Sequence, residues 1–280
     1  MTHAVLPEPR FRGGAATPGS GTLPPVVGMA RLARWLAALV LLLAAPARAA
    51  RTNHLFLDES QLVPEGSVEL EQWVWAYGRI PNRIDRPASI WLWWGPAVSV
   101  SNHLEFELPL QIVSVPDSTY LHSLGLVVRY RIFPREQDDG WQPLIRVGYY
   151  HPLDPVAGPP SAEVGFVLTI GSLQGIRTTL NVGVFMGLPF LQETSPGNFS
   201  VLGRGGVGVS FPLGKEWRIG AEAFGQLPIH GETRPSKGQV YLGPSVAWTR
   251  GPFWITFGSL FGLTNDSSRY YPRVLWGIAL

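Results

Sequence analysis

From residue 67 to the last, apolar and polar side chains alternate with a period of two, and the alternation stops and resumes so as to mark out twelve segments. No stretch after residue 50 holds a 3.6-residue period, and none stays apolar for the roughly 20 residues a membrane-crossing helix needs. A period of two belongs to extended strands, whose successive side chains point to opposite faces. The segments are 67–77, 89–100, 103–113, 124–133, 141–151, 163–172, 176–187, 199–211, 216–227, 239–249, 253–263 and 270–280. In residues 176 to 187, Ile176, Thr178, Leu180, Val182, Val184 and Met186 fall on one face, and Arg177, Thr179, Asn181, Gly183, Phe185 and Gly187 on the other.

The connections alternate in length. After odd segments they are GRIPNRIDRPA, SVPDSTYLHS, PLDPVAGPPSA, LPFLQETSPGN, PIHGETRPSKG and TNDSSR. After even segments they are mostly shorter: Ser101-Asn102, PREQDDG, Leu173-Gln174-Gly175, PLGKE and RGP. Strands of about ten residues joined alternately by long loops and tight turns predict an all-β fold, an antiparallel up-and-down transmembrane β-barrel of about 12 strands over residues 67–280. The tight turns are then periplasmic and the long loops extracellular.

A soluble sandwich has the same alternation with its apolar side inward, so the rings at the strand ends carry the decision. Trp141, Pro143, Ile145, Val147 and Tyr149 share one parity, with a ring at each end. Eight residues at about 3.3 Å each, tilted about 40°, separate those rings by roughly 20 Å, comparable to the apolar band of an outer-membrane barrel. Phe211, Trp217, Trp248 and Trp276 sit near expected periplasmic ends on the corresponding parity, where a bilayer interface favours aromatic rings. The final strand, RVLWGIAL, places Val274, Trp276, Ile278 and Leu280 on one face. It is similar to the C-terminal assembly signal of outer-membrane barrels, although it ends in Leu280 where that signal usually ends in an aromatic residue. Outer-membrane lipids and the barrel assembly machinery are therefore expected partners, and the bacterial outer membrane the expected location.

The first residues carry addressing information. From Met29 the chain reads MARLARWLAALVLLLAAPARAA: Arg31 and Arg34, an apolar run from Trp35 to Ala45, then Ala47-Arg48-Ala49. This order predicts a signal peptide at 29–49 cut after Ala49. Residues 1–28 read as a mis-assigned start or a disordered extension, and 50–66 as a periplasmic N-terminal segment resting in the barrel mouth as a plug. Residues 1–49 hold five of the 22 basic residues and one of the 20 acidic ones, leaving 17 basic and 19 acidic, a net charge of −2. Nothing in that balance argues for nucleic acid as a partner. The absence of cysteine excludes a disulfide framework and thiolate chemistry, and no cofactor or metal is expected.

In a barrel, the stretch NHLEFELPLQI turns Leu104, Phe106, Leu108, Leu110 and Ile112 to lipid and Glu105 and Glu107 to the lumen. A loop centred near Ser118 pairs Glu105 with Arg131 and Glu107 with Arg129. Glu69, Glu71, Arg146, Arg177, Arg204, Arg218 and Glu222 share the inward parity, so the lumen is mixed in sign. Such a lining either sets up a transverse field that orients a polar solute or neutralises itself and fills a narrow barrel. A loop centred on Arg83 pairs Trp73 with Trp93 and Trp75 with Trp91, four indoles in the outer half of the lumen. They offer a wall for aromatic or aliphatic solutes; the alternatives are core filling, or a bulge that turns the rings out to the membrane interface.

No catalytic residues are expected. His122-Ser123 is placed in a loop with no third member to fix the imidazole. His103 lies beside a turn, His230 in a loop, and His151-Pro152-Leu153-Asp154 reads as turn chemistry. Asp138-Asp139-Gly140 matches a calcium loop only in fragment.

The run AVSVSNHLEFELPLQI, with the approach VPEGSVELEQW, resembles the outer-membrane barrel family labelled for the MetA pathway of phenol degradation, over roughly residues 65 to 112. The resemblance implies a small barrel moving hydrophobic or aromatic compounds. The expected function is an outer-membrane channel for a small-molecule solute. Its rivals are a structural or surface-interaction barrel with a closed lumen and a lipid-modifying enzyme.

Overall fold

The computed structural model describes residues 53–77, 89–116, 118–134, 140–154, 157–172, 174–191, 199–231 and 237–280. The expected signal peptide, the residues before it and Asp138-Asp139 lie outside them.

Thirteen strands are formed: β1 (Val68–Tyr77), β2 (Ser89–Ser99), β3 (Leu104–Glu107), β4 (Leu110–Val115), β5 (Ser118–Arg131), β6 (Gly140–Pro152), β7 (Ser161–Gly171), β8 (Arg177–Gly187), β9 (Ser200–Leu213), β10 (Trp217–His230), β11 (Gln239–Arg250), β12 (Phe253–Gly262) and β13 (Tyr270–Ala279). Each neighbouring pair is antiparallel, and β1 pairs with β2 on one side and β13 on the other, with Glu69 opposite Ala279, so the sheet closes on itself. Strands β3 and β4 are one stave. Both pair with β2 in one continuous register, Glu107 opposite Ala97 and Leu110 opposite Trp94. Pro109 supplies the interruption, because it has no N–H to give to the ladder. The result is a closed barrel of 12 staves.

The expected inside and outside hold along the staves. Trp141, Ile145, Val147 and Tyr149 are exposed, while Gln142 and Leu144 between them and Tyr150 after them are buried. At the end carrying the tight turns, the rings of Trp217, Trp248, Phe253 and Trp276 follow one another with centroids 6.1, 5.8 and 6.4 Å apart. That is an interfacial girdle.

One connection differs from expectation. The ten-residue loop SVPDSTYLHS is shorter than expected, because Val115, Thr119, Tyr120 and Leu121 extend the ladder of β4 and β5, with Val115 opposite Ser118. These are β-branched, aromatic and aliphatic residues that a half-buried strand accommodates. The turn centre therefore moves from residue 118 to about 117, and the register of β3 on β5 changes by two: Glu105 faces Arg129 and Glu107 faces Val127. The expected pairs Glu105–Arg131 and Glu107–Arg129 are not the cross-strand partners. A shift of two leaves every side chain on its own face, so the inward placement is kept.

Candidate functional site

Residues 53–63 run inside the barrel, deeper than the mouth, without regular secondary structure. An extended segment in such a place has backbone N–H groups that need acceptors, and the wall supplies them. Glu222 accepts from the amides of Leu55 and Phe56 at 2.5 and 2.9 Å. Asn181 exchanges two hydrogen bonds with the backbone of Asp58, both 2.9 Å. Thr169 accepts from the Ser60 amide at 3.1 Å and Glu105 from the Val63 amide at 2.6 Å, and Ser245 donates to the Asn53 carbonyl at 3.0 Å. The plug's side chains pack as well: Leu55 joins Tyr241, Trp254, Leu260, Tyr271 and Leu275, Leu62 meets Leu144 and Val167, and Val63 meets Ala97.

Charges lock the segment near the turn end. Arg129 contacts Glu105 at 2.6 Å and Glu107 at 3.3 Å through one nitrogen, and with another it donates to the carbonyls of Glu59 and Gln61 at 2.5 and 3.2 Å. Glu59 in turn pairs with Arg177 at 3.2 Å, both side chains 1% exposed. Burial pushes the Glu59 carboxyl up, but Arg177, with His54 and the Asn53 amide, outweighs it and holds the group below its ordinary value. Higher up, Asp58 lies 3.7 Å from Arg146, which also meets Glu163, itself hydrogen-bonded to the Tyr150 hydroxyl.

Two glycines make room for the segment. A Cβ on Gly206 would stand 2.7 Å from the Leu57 side chain, and one on Gly208 2.6 Å from the His54 ring. Above the plug, toward the long-loop end, the lumen opens into a cavity of about 710 Å³. Its floor is Leu55, Phe56 and Leu57; its wall includes Trp73, Trp75, Tyr77, Trp91 and Trp93 on one side and Phe185 and Arg204 on the other.

With that geometry in hand, two solved structures are informative. An outer membrane channel from Pseudomonas putida F1 superposes with a TM-score of 0.55 over 78% of this chain and 96% of its own, at 8% identity. The NanC porin superposes with a TM-score of 0.50 over 75% and 98%, also at 8% identity. The chain shares its closed-barrel fold with these two outer-membrane proteins. No protein-family model matches the sequence, and no curated protein does.

All eleven charged residues picked out by parity are turned inward. Glu69, Glu71, Glu105, Glu107, Arg129, Arg131, Arg177, Arg218 and Glu222 are buried, while Arg146 and Arg204 are partly so. Glu69 accepts from the Trp254 indole at 2.6 Å, Glu71 from Trp73 at 3.1 Å, and Arg218 donates to the carbonyls of Gly175 and Ser210 at 2.8 and 3.1 Å. The indole pairs form in the expected register, Trp73 opposite Trp93 and Trp75 opposite Trp91, stacked with centroids 4.5 and 5.8 Å apart. No bulge turns them to lipid.

Three placements were missed. His230 ends β10 rather than lying in a loop. His122 and Ser123 belong to β5 rather than to a loop, and the register slips there by one, with Gln111 opposite Ser123 and Ile112 opposite Leu121. That bulge makes His122 the extra residue and brings it with Ser123 to the cavity, where its ring lies 4.8 Å from Trp91. Ser123 donates to Gln111 at 2.9 Å, so its proton is directed away from His122, 3.2 Å distant. Arg273 was overlooked although the parity of RVLWGIAL already turns it inward. It is 8% exposed, with Phe56, Trp73 and Trp75 around its guanidinium.

Proposed function

We propose that the chain is an outer-membrane channel for small solutes, entered from the long-loop side and gated by its own N-terminal segment. The observation that carries this reading is the seating of residues 53–63: hydrogen bonds and ion pairs to the wall, rather than a covalent link or a secondary-structure ladder, hold them in the lumen. A plug held this way is releasable in steps, each contact being worth about 0.5–1.5 kcal/mol net, more where charged. The aromatic wall supports a hydrophobic or aromatic solute, and so does the resemblance of residues 65 to 112 to the phenol-pathway family. The fold shared with a channel and a porin supports transport over a purely structural role.

Planar-bilayer recording tests the proposal. The intact barrel is expected to show small, intermittent conductance, and deletion of residues 53–63 to raise it several-fold with folding retained. If the deletion variant folds and conducts nothing, the barrel is a closed structural one.

A further inference from the structure

The cavity above the plug is lined by more guanidinium groups than carboxylates among the described residues. Its carboxylates, Asp58 and Glu163, both lie against Arg146. Two further arginines line it, and neither is within salt-bridge range of a carboxylate among the described residues, although Glu222 and Asp58 act on Arg273 from farther off: Arg204 stands 4.4 Å over the Phe185 ring, and Arg273 stands 4.5, 4.7 and 5.0 Å over Phe56, Trp73 and Trp75. The Nε atoms of both arginines and the indole Nε1 of Trp75 are buried without a protein acceptor. Trp75 and Arg273 are direct cross-strand partners, so these two donors stand side by side at the β1–β13 seam. Guanidinium groups stay charged at any physiological pH, and ring faces satisfy the cation only from above and below, leaving the in-plane N–H groups unused.

We infer that Arg273 and Trp75 form a subsite for the carboxylate of a small aromatic acid, whose ring rests on the neighbouring indole wall. The carboxylate accepts from the arginine fork, which matches its geometry, and from the indole N–H. The stacked pairs Trp73–Trp93 and Trp75–Trp91 present a flat apolar surface beside those donors. With three arginines against two carboxylates, the described lining carries one net positive charge, which favours an acid over the corresponding neutral alcohol. A volume of about 710 Å³ is within the range of small-molecule sites. The role of this subsite in transport rests on the channel reading above; the binding itself does not.

Calorimetric titration of the purified full barrel with benzoate, benzyl alcohol and acetate separates ring from charge. Benzoate is expected to bind saturably and at least about tenfold tighter than either, the value of one charge-assisted contact. Arg273→Gln is expected to erase the preference for benzoate over benzyl alcohol, while Arg273→Lys keeps part of it. Equal binding of benzoate and benzyl alcohol overturns the carboxylate subsite, acetate binding as tightly as benzoate overturns the aromatic part, and an unchanged preference in folded Arg273→Gln overturns the assignment to Arg273. Should Arg273→Gln fail to fold by heat-modifiable gel mobility, the three-ligand comparison on the wild type decides alone. Conductance without benzoate preference removes this inference and spares the channel; benzoate preference without conductance, plug present or deleted, does the reverse.

Discussion

At the turn end of the lumen, Arg129 and Arg177 each meet a carboxylate, and the same groups grip the plug; toward the loop end, Arg204 and Arg273 meet aromatic rings and an open cavity. The residue types are alike and their inward parity is identical. What separates the two regions is the entering segment, which adds Glu59 and a row of backbone groups to the lower half and ends its ascent at Phe56. Below that apex, Arg129 and Arg177 are paired with carboxylates. Above it, Arg204 and Arg273 face rings and the cavity, with no carboxylate in salt-bridge range among the described residues. A self-satisfied lining and a solute-binding lining therefore differ less in composition than in whether a second segment completes them.

The largest expected break in that contrast comes from Arg129→Leu. It strips the shared cation from Glu105 and Glu107 and the donor from the carbonyls of Glu59 and Gln61. Removing one partner of a buried pair costs about 3–5 kcal/mol, so heat-modifiable mobility should show a markedly reduced folded fraction. A fully folded variant with a seated plug would show that the lower half does not depend on its ion pairs.

A smaller effect is expected from acid. Because the Glu59 carboxyl is held below its ordinary value of 4.5, its contribution to plug seating is complete above that value and is lost as pH falls through the lower, folded one. Conductance recorded from pH 7 downward should stay low to about pH 4.5 and rise below it. In Glu59→Gln that rise should shrink, with conductance already raised at pH 7. A rise of equal size in both proteins would move the acid response to another group.

The smallest effect belongs to the open half. Arg204→Gln removes a cation whose recorded contact is the Phe185 ring, an interaction worth about 0.5–1 kcal/mol. Thermal unfolding should shift little, in contrast to Arg129→Leu. A loss as large as that of the lower pair would mean that the upper arginines are structural too.

Parity made much of this legible. One period sets which residues face inward, and because a hairpin shift of two residues leaves parity untouched, Glu105, Glu107, Arg129 and Arg131 face the lumen in either register. The indole pairs were legible to the residue because their loop was centred correctly. Three things were hidden. The bulge that brings His122 inward is an irregularity of one residue that no periodicity announces. The depth of residues 53–63 depends on side chains more than a hundred positions away, such as Asn181 and Glu222. The cavity is the space left by that segment, so it was hidden for the same reason.

The glycines at 206 and 208 and the bond from Leu55 to Glu222 bear on the order of assembly. Synthesis delivers the plug before any wall exists, while the part of its cradle from β8 to β11 lies 123 to 192 positions away along the chain. Contacts of such separation are slow to form, since loop closure is costly before they are made. Arg273 and Tyr271, which flank Phe56, sit on the final strand. A segment made before the whole wall thus has contacts that wait on the last strand, and its seating at Phe56 requires that β13 be in place.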